Sequence, residues 1–576
     1  MSRIEGEARA ALGSAVERST WERVATAPAL TEQRAQVAAL AEQAHGPVVE
    51  IPDERYRDFE RTGDRGAFES LYFARRRGLT ALALTALLDR EAGTDVLAAL
   101  IAAICDEPYW ALPAHVARDG LDPRETIDLF AAETSSALAE ITALLGDRLP
   151  PALVLRAREQ VLVRVIEPYE RHSFWWEDSA NNWASVCAGS VALAALQVCE
   201  PARVRALLPR LRASLRRSLD GYGDDGVCVE GYGYWRYGFG YYLVATEALD
   251  AAFGPDPEPA RAAEAARWPL RAFLSGRALV TFADTWLEGT ADAGLLAGAE
   301  RRYGDVGLPP TALVEKSVID ECGRWALALR SLCWSVDADE ARPHRDDSPR
   351  WYPDAQWLVV PEGRHSPVGF AGRGGHNGEP HNHNDLGSFI VARAGRMLVA
   401  DAGRGVYDRE YFGPGRYENP AAGSQGHSVP LLDGVTQAAG ASARAELLGM
   451  RIDGEGERLD LDLTAVYPHP GLIRLVRRFE RRAEVVTVTD ALSAREPIVL
   501  TQRFVTTVEP DVVDGGVRIV AGGTAAELRY GPAARVRTGS FPVGRGSFPL
   551  PVHHVDLTLP AATEIEHRVT ITTSTD

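Results

Sequence analysis

Apolar residues recur at three- and four-residue spacing through roughly the first 335 positions and then give way to alternation. The first pattern is clearest at 80–104, 125–145, 151–167, 184–199, 203–219, 240–253 and 317–333, where Ala, Leu and Arg dominate. Each stretch predicts a helix, and Pro113, Pro150-Pro151, Pro201, Gly221 and Pro255 punctuate them. Many helices joined by short loops predict antiparallel hairpins in a bundle, a toroid or a solenoid, and the lack of a fixed-period repeat argues against the last.

After residue 350 short stretches alternate or carry β-branched residues: 356–360, 386–393, 396–400, 459–466, 472–479, 484–489, 498–508, 516–520, 526–530 and 565–573. Leu459-Asp-Leu-Asp-Leu-Thr-Ala-Val has the period of a half-buried antiparallel strand, and Asp433-Gly434 and Asp514-Gly515-Gly516 supply turns. The expectation is a multidomain α+β chain: a helical domain over 1–335, a polar, proline-bearing linker over 336–350, and an antiparallel β-sandwich over 351–576, with room for a small C-terminal β subdomain.

Composition narrows the chemistry. Lys316 is the single lysine among 62 basic residues and follows no glycine, which excludes a phosphate-binding P-loop and leaves Schiff-base chemistry no other candidate. A net charge of −18 argues against nucleic-acid or membrane-surface partners, although a local arginine-lined cleft can still take an anion. The six cysteines form no C-x-x-C pair and read as reduced, buried thiols. The first residues show no apolar signal segment and no run reaches membrane-spanning length, so a cytoplasmic location is expected.

Four of the thirteen histidines fall between 376 and 427: His376, His381, His383 and His427. The segment Gly374-Gly-His-Asn-Gly-Glu-Pro-His-Asn-His-Asn-Asp-Leu-Gly-Ser-Phe389 is too polar for a core and enters a predicted strand. On an extended chain the two rings of H-x-H project to one side, so His381 and His383 are expected to share a site. Asp401 and His427 lie downstream, and two imidazoles with a carboxylate suit a divalent ion such as zinc, with Asp385 either a competing ligand or an orienting group. In the helical half, Asn181-Asn182-Trp183 opens a helix, one Asn being a natural N-cap. The run from Glu230 to Tyr242 holds seven aromatic residues, with Tyr234 and Tyr237 on one helical face, as a sugar-binding wall or an aromatic core requires. Gly221-Tyr-Gly-Asp-Asp-Gly226 fits a dinucleotide fingerprint but follows a basic helix instead of a strand, and is discounted; the arginine-rich stretch 203–217 reads as a solvated face.

Taken together, Asn181-Asn-Trp, Glu230-Gly-Tyr-Gly-Tyr-Trp-Arg-Tyr and His381-Asn-His-Asn-Asp-Leu-Gly-Ser-Phe resemble the signatures of the heparinase II/III family of polysaccharide lyases, and also of the oligoalginate lyases. The resemblance implies an N-terminal (α/α) toroid followed by an antiparallel β-sandwich. It implies β-elimination at a uronate of an oligo- or polysaccharide, with Asn182 and His381 neutralising the carboxylate. Tyr237 would be the catalytic phenol, Tyr234 the fallback and Tyr411 a further active-site tyrosine. Glu230, Arg236, Trp183, His376 and Arg416 are expected to contact substrate. His383, Asp401 and His427 would hold a mainly structural zinc. Many members follow the Asn with a histidine, and here Trp183 stands in its place. Lowering the Tyr237 pKa is expected of Arg236 or Arg373, and Arg404, Arg409 and Arg416 are expected to help form a positive cleft. A homodimer is the base-rate expectation. The competing readings are a glycoside hydrolase using Asp225 and Glu230, and a non-catalytic carbohydrate-binding protein.

Overall fold

The computed structural model describes residues 3–116, 120–336, 344–407, 409–542 and 551–575, with side chains from residue 6. The chain divides into a helical unit (residues 1–221, 235–266 and 291–344) and a β unit (222–234, 267–290 and 345–576). Two short pieces of the N-terminal half, 222–234 and 267–290, thus belong to the β unit. Of the expected linker 336–350, residues 337–343 lie outside the described residues.

Antiparallel helical pairs make up the helical unit, as in an α/α toroid. Its inner helices, Leu129–Leu145 and Asn182–Val198, are buried on nearly every face and pack against each other. A small residue lets the helix Gly240–Phe253 approach the second of these closely: a Cβ on Gly189 would lie 3.2 Å from both the Ala245 Cβ and the Tyr241 carbonyl oxygen. Buried charge is paired, as where Arg330 grips Glu140 through two 2.6 Å bonds and Trp325 Nε1 donates to the same carboxylate at 2.9 Å. The stretch 80–104, expected as one helix, is two: Gly66–Leu88 and Asp95–Asp106. Asp89 breaks it by accepting the Glu91 N–H at 2.9 Å, and Gly93 follows in the turn. The helix expected at 317–333 begins only at Trp325, because Asp320 caps a preceding turn through Cys322 and Arg324 N–H.

In the β unit an eight-stranded antiparallel sheet runs in the order 446–453, 456–462, 472–482, 485–498, 562–575, 524–530, 516–521, 511–513. A five-stranded sheet contains 350–352, 357–360, 369–373, 389–393 and 396–399, and a four-stranded one contains 535–541, 552–558, 500–506 and 430–432. Phe370 and Phe389 of the five-stranded sheet meet Phe479 of the eight-stranded sheet at 5.8 and 5.3 Å between ring centres, in one continuous apolar core. The alternation at 459–463 places Leu459, Leu461 and Leu463 in that core.

Candidate active site

The histidine-rich loop joins two neighbouring strands of the five-stranded sheet, Gly369–Arg373 and Phe389–Arg393. Gln437 holds it with its side-chain amide, accepting from Leu386 N–H at 2.9 Å and donating to Leu386 O at 2.8 Å. Ser424 Oγ donates to Asn384 O at 2.6 Å, and the fully buried Arg477 donates to Gly387 O at 2.9 Å and Ser428 O at 2.7 Å. Gly387 has φ +80°, and a Cβ there would lie 2.7 Å from Leu463 Cδ1, so this turn requires glycine.

At the centre stands Asp284, a residue the sequence motifs do not flag. Its Oδ2 lies 2.8 Å from His381 Nδ1 and 3.3 Å from Arg416 Nη2; its Oδ1 lies 3.0 Å from His383 Nε2 and accepts the Tyr411 hydroxyl. Burial opposes its charge, but the hydrogen bonds from His381 and His383 hold the carboxyl well below its usual range. The two histidines do share a site, but the extended geometry assumed for H-x-H is corrected here. His381 has φ +56°, so the segment is not extended, and the two rings reach different oxygens of one carboxylate. Asp284 was missed because it lies 97 residues before His381, in Phe282-Ala-Asp-Thr, a stretch that reads as core. The only local signal was a charged residue inside an apolar run.

His381 keeps an exposed edge. Its Nε2 lies 3.6 Å from Glu230 Oε2, and its ring stacks on Tyr234 at 4.3 Å. The Tyr234 hydroxyl meets the Tyr407 hydroxyl at 2.8 Å. Burial, then the charge of Asp284, pushes the Tyr234 phenol up; Tyr407 and Arg404 pull the other way. Arg404 sits over the rings of Trp286 and Tyr407 at 4.3 and 4.7 Å, and Arg416 over Tyr411 at 4.3 Å. Tyr234, Glu230, His381, Tyr411 and Arg416 are therefore brought together, and Tyr407, Trp286 and Asp284 join them unforeseen. His376 lies in the short ribbon that pairs 376–377 with 440–444, its Nδ1 accepting from Gly378 N–H at 3.1 Å. Asp225 spends its carboxylate on the N–H groups of Val227, Asp354 and Ala355 at 3.2, 2.8 and 3.1 Å, which makes it a loop cap.

On the far side of His383 lies a buried cluster that could hold a metal ion. One ligand atom each from His383, Asp385, Asp401 and His427 lie within 4.8 Å of one another. With Nε2 on Asp284, His383 Nδ1 is buried without a hydrogen-bond partner. His427 Nε2 faces the Ala421 carbonyl at 3.1 Å and so carries a proton; its Nδ1 faces Asp401 Oδ2 at 2.7 Å, where a second proton or a cation must sit. Burial works against both charges, but each group's charge wins for the other: Asp401 is lowered and His427 raised. Two imidazole nitrogens and two carboxylates fit a borderline divalent ion. Asp385 joins the donor set and also pairs with Arg373 at 3.1 Å.

In the helical unit, Asn181 is the N-cap, its Oδ1 accepting Trp183 N–H at 3.0 Å, and the buried Asn182 begins the helix. Trp183 packs against Trp175 and His115 at 4.8 and 4.9 Å. Arg236 pairs with Asp292 at 3.3 Å. Tyr237 is buried beneath the Arg324 guanidinium at 3.8 Å. The expectation of a lowered phenol pKa is overturned: burial, then the charge of Glu133, pushes Tyr237 well up. Arg373, expected beside it, is fully buried in the β unit with Asp385 and Glu379.

Glu133 is itself pushed up, mainly by burial, to about 7. Its contribution to stability is thus full below the ordinary carboxylate value near 4.5 and is lost as pH rises to about 7. Glu133→Gln is expected to raise the melting temperature of the helical unit more at pH 8 than at pH 4.5, as read by thermal scans at the two pH values.

Residues 347–545 match the family described as heparinase II/III-like, C-terminal. Among solved structures, the fold is similar to heparinase III, with a TM-score of 0.65 at 12% identity over 96% of this chain and 92% of that one. A mutant of the heparan sulfate lyase HepC from Pedobacter heparinus gives 0.61 at 13% identity over 94% and 88%. The Streptomyces coelicolor A3 chondroitin AC lyase in complex with chondroitin sulphate gives 0.54 at 13% identity over 97% and 82%. No curated relative matches in sequence. At these identities the structural likeness is one of fold: an α/α toroid with an antiparallel β-sandwich.

Proposed function

With residues 347–545 a heparinase II/III-like C-terminal domain, we propose that the protein is a polysaccharide lyase that cleaves uronate-containing glycans by β-elimination. The observation that carries this reading is the imidazole–phenol pair: His381, fixed by Asp284 at 2.8 Å, with Tyr234 stacked on it at 4.3 Å.

The reaction breaks the C5–H bond, forms the C4–C5 double bond and expels the sugar on O4. The C5 proton is too weakly acidic beside a fully charged carboxylate, so donors aimed at that carboxylate must hold the charge that develops on it. His381, with carboxylates near both ring nitrogens, is placed as such a donor. Asn182 is kept as a second donor on the grounds of its motif. Tyr234 takes the C5 proton and returns it to the leaving O4. In the free protein this phenol keeps its own proton, which must first pass to solvent; the Tyr407 hydroxyl and Arg404 then steady the phenolate that takes the C5 proton. Tyr237, buried and pushed up, is the alternative phenol. The hydrolase reading loses its carboxylate pair, because Asp225 is committed to backbone N–H groups.

The test is a panel of uronate polymers and oligomers followed by ultraviolet absorbance of the unsaturated product. A saturated reducing end with no absorbance, or no product from any uronate substrate, overturns the reading. Tyr234→Phe and Tyr237→Phe separate the two phenols.

We assign the metal cluster to zinc, held by His383, Asp385, Asp401 and His427. Bound there, zinc would pin the loop that carries His381 to strands far along the chain. Zn2+ at a hundred times its Kd is expected to add about 2.7 kcal/mol of stability, seen as a rise in Tm that a chelator reverses and that His427→Ala abolishes.

A further inference from the structure

We propose that Asp284 is a positioning residue serving two sites at once: by accepting one proton from each ring it fixes the tautomer of the metal ligand His383 and holds the Nδ1 proton, and with it the orientation, of the substrate-facing His381. The part concerning His381 rests on the lyase reading; the part concerning His383 does not.

The argument is one of lone pairs. An ionised carboxylate has four acceptor sites and no donor. Asp284 has four neighbours with a proton to give: His381 Nδ1, His383 Nε2, the Tyr411 hydroxyl and Arg416 Nη2. Every neighbour must therefore donate. For His383 this puts the proton on Nε2 and leaves Nδ1 bare; that atom is buried and unpartnered, and so is the nitrogen free for the cluster with Asp385, Asp401 and His427. For His381 it puts a proton on Nδ1 and turns Nε2 toward Glu230 and the exposed edge of the site.

The segment that carries Asp284 is itself tied to the metal cluster. Thr281 Oγ1 donates to Asp401 O at 3.2 Å, and Thr285 O accepts Arg404 N–H at 3.0 Å. Between them Ala283 holds φ +67°, a conformation that an alanine keeps only where its surroundings impose it. Ligand, orienting carboxylate and His381 form one connected unit, in which Asp284 bonds both rings directly.

Two measurements test this. In the metal-free wild-type protein, 15N spectra of the imidazoles should show His383 protonated at Nε2 with Nδ1 bare, and His381 protonated at Nδ1. A His383 protonated at Nδ1 and bare at Nε2 overturns the proposal without any variant. Asp284→Asn keeps the volume but turns one acceptor into a donor. Its Zn2+ affinity, read by competition with a chromophoric chelator, should fall about 10- to 100-fold, and both imidazole patterns should change. Tyr411→Phe removes one donor from Asp284 and a 3.4 Å neighbour of His383 Nε2 while leaving the Asp284 bonds to both rings, and should leave the patterns as they are. A folded Asp284→Asn protein with wild-type affinity and unchanged imidazole signals overturns the proposal. Should no uronate polymer be turned over, the lyase reading falls, while the tautomers and the Zn2+ affinity still decide the role of Asp284.

Discussion

Replacing His381 with alanine is expected to cut turnover of a uronate polymer by about 10²–10⁴-fold, the range that a positioned proton-handling group contributes, without unfolding the protein. The ring is partly exposed and its contacts are those of the site: Asp284, Tyr234 and the edge near Glu230. Its removal therefore leaves no cavity in the apolar core, where large losses of stability originate. The backbone at 381 holds φ +56° in a non-glycine residue, a cost that persists only where the surrounding structure imposes it. The loop that does so, gripped by Gln437 and Arg477, is unchanged in the variant. The measurement is the initial rate of unsaturated-product formation, with circular dichroism to verify the fold. Activity within tenfold of wild type would remove His381 from the proposed chemistry.

Arg477→Met is expected to have the largest effect on stability, about 3–5 kcal/mol, the usual consequence of stripping one partner from a buried ion pair. Arg477 and Asp490 face each other on adjacent strands, both fully buried, with two bonds of 2.7 Å between them. Gln502 donates to Asp490 at 2.7 Å, which cannot replace a charge. The same guanidinium holds Gly387 O and Ser428 O, so the site loop and the residue after His427 lose their shared anchor. Denaturant unfolding of the β unit should show the loss, and Zn2+ affinity should fall with it. Adding Asp490→Leu to Arg477→Met removes the stranded carboxylate and should restore much of the stability but not the affinity, because the loop contacts stay absent. Recovery of both would mean that Arg477 acts on the site through global stability alone.

How far each feature was legible depends on the range of the forces that set it. The Asn181 cap, the helix it opens and the alternating strand at 459–463 follow from groups a few residues apart, and they stand where the pattern places them. The break at 89–94 was obscured because its apolar spacing continues across it; the turn is decided by one carboxylate and one glycine. In the polar loop, excess imidazole and carboxylate in a segment unfit for a core marked chemistry, and His383, Asp401 and His427 do converge. That Asp385 joins them was left open, because a sequence cannot tell a ligand from a group that orients one.

By itself the sequence determined the two structural regimes, the loop where chemistry concentrates and the residue types available to it, because periodicity, capping and polarity are local properties. Tertiary structure alone decided that His381 and His383 meet on the two oxygens of one carboxylate, Asp284, and that Tyr237 lies under Arg324 with its phenol pushed up. Those outcomes depend on which buried groups meet across about a hundred residues of chain and on the desolvation each suffers there, and neither is encoded in spacing.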